Sequence, residues 1–293
     1  MHRSGFVNII GNPNVGKSTL MNALVGERLS IITSKAQTTR HRIMGVVSGE
    51  DFQIVYSDTP GILSPRYKMQ EAMMRFVGTA LIDADVILYV TDVVEQPDKH
   101  AEYIERLNQL DIPVIVVVNK IDLTTPEKLE QIVDLWHEMV PRARIFPTSA
   151  LEKFNLNSLF NTLLALLPHG QPYYDKDMFT DRNLRFFASE ILREKILLYC
   201  DKEIPYSAEV VIEEFKEESN LYHISAIIYA ARESQKAIII GHQGRMLKKI
   251  GTEARKDMEK FFEKKIFLQT YVKVNPDWRD SERKLREFGY ILE

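Results

Sequence analysis

The chain has 293 residues, with 38 Lys+Arg against 41 Asp+Glu for a formal charge of −3, and 45% of its residues are hydrophobic. That composition belongs to a folded chain of about two domains, and it excludes disorder, collagen and a disulfide scaffold. The one cysteine, Cys200, has no internal partner and sits in an apolar helical stretch, so it reads as a core thiol in a reducing compartment.

No apolar run approaches the ~20 residues that cross a bilayer. Only five residues precede the first expected strand, too few for a signal peptide. Charge is uneven along the chain. Residues 201–220 hold 2 basic and 7 acidic side chains, whereas 232–275 hold 11 basic and 5 acidic. The basic stretch suits a polyanion partner, although most charge runs are solvated faces.

In chain order, a strand is expected at 6–10, a helix at 16–25, and strands at 42–47 and 53–57. Strands at 85–91, 113–119 and 144–147 are each followed by a helical segment, and a helix at 156–167 closes the run. Strands separated by helices predict βαβ units and an α/β domain with a doubly wound, mostly parallel sheet. A turn-rich stretch from Pro168 to Pro172 marks a linker at 169–182, between domains at 1–168 and 183–293. The second domain reads as α+β. It starts with a helix at 184–199 and strands at 208–215, 222–229 and 237–240. Helices at 245–250 and 252–262, a strand at 266–274 and a helix at 280–288 follow. The region 222–240 reads either as a hairpin or as one bent strand.

Residues Gly11, Asn12, Pro13, Asn14, Val15, Gly16, Lys17 and Ser18, followed by Thr19, fit G-x-x-x-x-G-K-[ST] between a strand and a helix. Glycines let backbone N–H groups wrap phosphate oxygens, and the helix N-terminus favours negative charge. Lys17 is the expected partner of the β- and γ-phosphates and Ser18 a ligand of Mg²⁺. Asp58-Thr-Pro-Gly61 ends the strand at 53–57, which places Asp58 near Mg²⁺ and the Gly61 N–H near the γ-phosphate. Asn119-Lys120-Ile-Asp122 follows the strand at 113–119. A carboxylate accepts both N1–H and N2–H of guanine and is left repelled by adenine, so Asp122 selects guanine. Lys120 packs its stem on the base, Asn119 ties the loop to the phosphate loop, and Ser149-Ala150 offers N–H groups to guanine O6.

These motifs, in this order, resemble the translation-factor-like GTPases. Gly-Asn-Pro-Asn-Val-Gly-Lys-Ser-Thr, Ala36-Gln-Thr-Thr39-Arg40 and a C-terminal Gly241-His242-Gln243-Gly244 narrow the resemblance to the Era family of bacterial GTPases with a KH domain. The resemblance implies a P-loop GTPase domain followed by a type II KH-like domain, with GTP/GDP and Mg²⁺ as cofactors. It makes Lys17, Thr39 and Gly61 catalytic, and Ser18, Thr39 and Asp58 the Mg²⁺ set, with Thr38 the second choice to Thr39. Asn14 matches a K⁺-binding position; a turn-forming Asn is the alternative. Ile62 stands where Ras-like enzymes carry a water-orienting Gln, so no side-chain base is named.

Gly241 to Gly244 precede Arg245, Lys248 and Lys249, and a G-x-x-G loop there clamps about four nucleotides of single strand in KH domains. The resemblance implies small-subunit ribosomal RNA near its 3′ end and the 30S subunit as partners. It also implies a cytoplasmic location with peripheral inner-membrane contact. Two rivals stand beside this reading: a signalling GTPase whose second domain binds protein, and a nucleotide-gated RNA chaperone without turnover.

Overall fold

The computed structural model describes residues 1–95 and 101–291. They form two compact units. The first comprises Met1–Ser30, Thr39–Pro65 and Met73–Asp181; the second comprises Ile31–Thr38, Arg66–Ala72 and Arg182–Glu293. Two short excursions of the N-terminal half therefore belong to the second unit.

In the first half of the chain the elements run β1 (Arg3–Gly11), α1 (Lys17–Val25), β2 (Ile43–Ser48), β3 (Phe52–Asp58), α2 (Lys68–Ile82) and β4 (Val86–Asp92). Then come α3 (Ala101–Asn108), β5 (Val114–Asn119), α4 (Pro126–Met139), β6 (Arg144–Pro147) and α5 (Leu156–Leu166). The six strands form one sheet in the order β2-β3-β1-β4-β5-β6. Only β2 runs antiparallel to its neighbour, so the sheet is mixed and mostly parallel. Every residue of β4 and β5 is buried, as expected of parallel strands covered on both faces by crossover helices. Each fully buried Val, Ile or Leu there contributes about 1.5–3 kcal/mol. The ends of β1, β3, β4 and β5 all open on one edge of the sheet, where such folds collect their ligand loops.

The turn-rich stretch expected as a linker counts with the first unit as far as Asp181. Its backbone is tied down: the amides of Tyr173 and Tyr174 donate to Gln53 Oε1 at 2.7 and 3.0 Å, and Val46 N donates to Phe179 O at 2.8 Å.

The second unit holds α6 (Leu184–Tyr199), α7 (Ile204–Ser207), β7 (Glu209–Glu217), β8 (Leu221–Ala230) and α8 (Glu233–Ile240). They are followed by α9 (Arg245–Phe262), β9 (Lys265–Val274) and α10 (Glu282–Glu287). Its sheet runs β7-β8-β9, with β7 antiparallel and β9 parallel to β8. Asn183 starts α6 by accepting the Phe186 amide at 2.9 Å. Leu192, Ile196, Ala226, Ile228, Ile239, Ala254 and Met258 fill the core between sheet and helices.

Two expectations fail here. Residues 237–240 are the last turn of α8, not a strand, and 222–230 is the second arm of a hairpin. Three successive isoleucines suggest β-structure, yet only Ile239 is buried while Ile238 is 49% exposed, which is one-face helical burial. The two expected helices at 245–250 and 252–262 are the single helix α9, which runs through Gly251. One interior glycine costs about 1 kcal/mol, and the buried Ile250, Ala254 and Met258 outweigh it. Cys200 is buried, and burial pushes its thiol up to about 11, so it is an inert core group. Among the described residues, no helix is long and apolar enough to cross a membrane.

Candidate nucleotide and nucleic-acid sites

The loop between β1 and α1 is shaped by backbone that only glycine accepts easily. Gly11 and Gly16 have φ of 148° and 95°. A Cβ on Gly11 would lie 2.1 Å from the Val90 carbonyl oxygen, and one on Gly16 2.2 Å from Asn119 Nδ2. Lys17, the first residue of α1, is buried and folds back over the loop. Its Nζ donates to Gly11 O at 3.1 Å and to Asn12 O at 2.7 Å. Burial pulls its pKa down to about 8, against the upward pull of Asp58 and Glu95.

Beside the loop, oxygens converge. Ser18 Oγ donates to Asp58 Oδ2 at 2.6 Å. Thr39 Oγ1 lies 2.9 Å from Ser18 Oγ and donates to Asp58 Oδ2 at 3.2 Å. Asp58 is fully buried at the end of β3, and its Oδ1 has no hydrogen-bond partner. Burial pushes its carboxyl above the usual range, while Lys17 and the hydroxyls of Ser18, Ser30 and Thr39 pull it back. A carboxylate and two hydroxyls, with one buried carboxylate oxygen unsatisfied, fit a hard cation such as Mg²⁺. Thr38 is not part of the cluster: its Oγ1 meets Thr33 Oγ1 at 2.6 Å and Lys35 O at 2.5 Å. Gly61 packs so closely that a Cβ would lie 2.8 Å from Pro13 Cα. Ile62 donates its amide to Gly11 O at 3.0 Å, and its side chain is buried in the apolar core.

At the end of β5, Asn119 Nδ2 donates to Val15 O at 2.8 Å and its Oδ1 accepts the Ala150 amide at 2.9 Å. One side chain thus ties the phosphate loop to the loop after β6. Lys120, in left-handed backbone at φ 60°, donates to Asn14 O at 2.6 Å. Asp122 is exposed, and its Oδ1 accepts from Ser149 Oγ at 2.6 Å, which orients the carboxylate. Asn14 is exposed at φ 67°, and Thr19 lies one turn into α1.

Sequence reasoning missed Asp92. It forms an ion pair with Lys120 at 2.6 Å and accepts the amides of Val94 and Glu95 at 2.9 and 2.8 Å. The available signal was its place at the end of β4, in register with Asn119 on β5.

The second unit carries a separate arrangement. Gly241 (φ 72°), Gln243 (φ 50°) and Gly244 (φ 75°) turn the chain between α8 and α9. A Cβ on Gly241 would lie 2.6 Å from Met246 Cβ, whereas Gly244 faces open space. His242, Gln243, Arg245, Lys248 and Lys249 are exposed. A groove of about 350 Å³ runs beside the loop, lined among others by Gly244, Lys248, Gly251, Thr252, Arg255 and Thr270. Glycines at 244 and 251 keep its wall low; Lys248 and Arg255 bring cationic groups to it, Arg255 paired with Glu259 at 2.9 Å. Lys249 sits over the Tyr199 ring, 4.1 Å from its centroid, so its charge is anchored at the edge of α6. Thr252 and Thr270 were not singled out, because a strand–helix groove brings them together from distant positions.

The first unit is a P-loop nucleotide-binding fold, and the second has the strand and helix order of a KH domain. A family model for the 50S ribosome-binding GTPase matches residues 6–120, and a KH domain model matches 203–279. GTPase Era of Clostridium kluyveri is 44% identical over 292 residues, covering 99% of this chain and 100% of the relative. GTPase Era of Syntrophus aciditrophicus is 46% identical over 295 residues, covering 99% and 96%. A crystal structure of Era in complex with MgGDPNP and nucleotides 1506–1542 of 16S ribosomal RNA matches with a TM-score of 0.95 at 41% identity, over 100% of both chains. An Aquifex aeolicus Era variant bound to GDP and AlF4⁻ matches equally, over 99% and 100%. The chain belongs to the Era family of GTPases.

Proposed function

We propose that the protein is a GTP-hydrolysing switch whose second unit binds single-stranded small-subunit ribosomal RNA near its 3′ end, in assembly of the 30S subunit. The observation that carries this reading is a guanine-selecting loop and a cationic G-x-x-G groove in one chain. The relative solved with a GTP analogue and 16S ribosomal RNA supports it.

In this reading the loop from Gly11 to Thr19 binds the phosphates through its backbone N–H groups, Pro13 only shaping the turn, and Lys17 exchanges its two carbonyl partners for phosphate oxygens. Ser18, Thr39 and Asp58 hold Mg²⁺, which supplies charge to the phosphate oxygens. Asn119, Lys120, Asp122, Ser149 and Ala150 bind and orient guanine. The Gly61 amide donates toward the transferring phosphoryl group. The Ile62 side chain has no hydrogen-bonding group, so positioned donors rather than a base carry the rate. Hydrolysis without an activator is therefore slow.

Asn14 is the candidate for K⁺. Asn14→Ala should remove a rate advantage of K⁺ over Na⁺ buffer and leave the Na⁺ rate unchanged. Equal losses in both salts would refute the ion role. The cytoplasm, with peripheral contact at the inner membrane, is the location that the family resemblance supports.

The RNA half is tested by His242→Asp with Gln243→Asp. Two unit charges about 4 Å apart repel by ~1 kcal/mol in water and ~4 kcal/mol at an effective dielectric near 20. RNA affinity of the full chain should fall at least roughly tenfold, with RNA-free GTP hydrolysis near wild type. Lys248→Ala with Lys249→Ala should instead weaken all sequences alike and flatten the salt slope. Undiminished RNA binding by the double Asp variant would reject the groove as the RNA site.

A further inference from the structure

Lys120 carries a long, flexible side chain, yet both of its ends are fixed. Its backbone stands at φ 60°, in the left-handed region that residues other than glycine rarely adopt. Its Nζ donates to Asn14 O at 2.6 Å and to Asp92 Oδ2 at 2.6 Å. The sheet order explains this span. Strand β4 lies between β1 and β5, so a lysine just past β5 that reaches the loop after β1 must cross the end of β4. Asp92 is the last residue of β4 and stands opposite Asn119, the last residue of β5. A carboxylate is thus built into the end of the strand that the lysine crosses.

Asp92 is itself held. It is 6% exposed, and its Oδ1 accepts the amides of Val94 and Glu95 at 2.9 and 2.8 Å. The two oxygens have separate duties: Oδ1 keeps the carboxylate in place, and Oδ2 meets the ammonium. An asparagine would serve the two amides and fail the lysine, because its second atom is an NH₂ group facing another donor. A lysine left in water spreads over many rotamers, and ordering such a chain on binding costs affinity. Here a charge-assisted hydrogen bond orders it before a nucleotide arrives.

We infer that Asp92 is a positioning residue for base recognition: it draws the Lys120 ammonium across the end of β4, so that the methylene stem is laid out in advance as one wall of the guanine pocket. Asn14, Asp92, Asn119 and Lys120 all belong to the first unit. The inference rests on the reading of Lys120 as packing its stem on the base. GDP and GTP carry the same base, so a stem ordered in advance favours both by the same factor and leaves the phosphate contacts alone.

The test uses the full chain with Asp92→Asn, which keeps an acceptor for the Val94 and Glu95 amides and removes the one for Lys120, and with Lys120→Ala as a second variant. The readouts are release of a fluorescent GDP, release of a fluorescent non-hydrolysable GTP analogue, and competition by inorganic triphosphate, which carries no base. Asp92→Asn should speed release of both nucleotides alike, roughly five- to tenfold, the scale of ordering one long side chain. Competition by triphosphate should not change. In a Lys120→Ala background Asp92→Asn should add nothing. If Lys120→Ala speeds release while Asp92→Asn behaves as wild type, the positioning role is overturned and the Lys120 reading stands. If Asp92→Asn weakens triphosphate as much as GDP, or keeps its full effect in the Lys120→Ala background, Asp92 acts by general loosening and the inference fails. Wild-type release in Lys120→Ala would remove the base-packing reading and the inference together.

Discussion

Replacing Asp122 by Asn is expected to cut GTP affinity at least ~100-fold, the loss of two hydrogen bonds to a charged acceptor, and to turn preference toward xanthosine triphosphate. Asn is nearly isosteric, and its carbonyl oxygen still accepts from Ser149 Oγ, the 2.6 Å contact that orients Asp122. The exchange therefore alters one thing, an acceptor into an amide donor. Guanine presents two donors to that group, N1–H and N2–H. Xanthine has a carbonyl in place of the amine and accepts the new donor. Titrating wild type and variant with GTP, XTP and ATP reads the change directly. A variant that still prefers GTP would remove Asp122 from base selection. The loop should keep its shape, because Asn119 and Lys120 hold it through Val15, Asn14 and Ala150.

The second large effect is at Lys17. Lys17→Ala should lower GTP turnover about 10²–10³-fold, the usual cost of removing one preorganised charge-stabilising donor. Wild-type turnover in the variant would contradict the phosphate-loop reading. Stability should move the other way. The Lys17 pKa falls from 10.5 to about 8, with burial the leading cause, so the fold binds this proton more weakly than the unfolded chain. The charged lysine therefore opposes folding. The opposition is full below about pH 8 and fades as pH rises through 10.5. Without nucleotide, Lys17→Met should melt at or above wild type at pH 7, and the difference should close toward pH 10.5. A lower melting temperature at pH 7 would show that the lysine's bonds to Gly11 and Asn12 outweigh its desolvation.

The nucleotide site was legible in the sequence because its parts are local. Each motif closes a strand, and a strand end fixes position in a doubly wound sheet. Helix 184–199 was equally legible from its apolar pattern, and in the structure Asn183 caps its start. Asp92 was not, because its partner Lys120 is 28 positions away and the strand register alone brings them together. Residues 237–240 misled because three isoleucines carry β-propensity, while the packing that makes them helical comes from elsewhere in the second unit. Gly251 misled in the opposite sense, as a helix breaker that the groove of the second unit tolerates. The assignment of 31–38 and 66–72 to the second unit has no local signature. For 31–38 it rests on buried charges of α6 that no periodicity separates from an ordinary amphipathic face; for 66–72 it rests on Lys68 with Asp280 and Glu282 and on Tyr67 under Arg279.

The excursion at 31–38 also sets a timetable for synthesis. Thr38 and the Arg193 guanidinium that holds its carbonyl are 155 positions apart. At about 5–20 residues per second, that gap is roughly 10–30 s of translation. During this interval the P-loop, β1 and β3 are already made and able to pack, while residues 31–38 lack α6. A nascent chain stalled before residue 182 would carry those residues without the Arg193 that holds the Thr38 carbonyl. Truncation at that position therefore leaves two pieces of the second unit attached to the first half of the chain. Residues 31–38 and 66–72 find the rest of their unit only when the C-terminal part of the chain has been delivered.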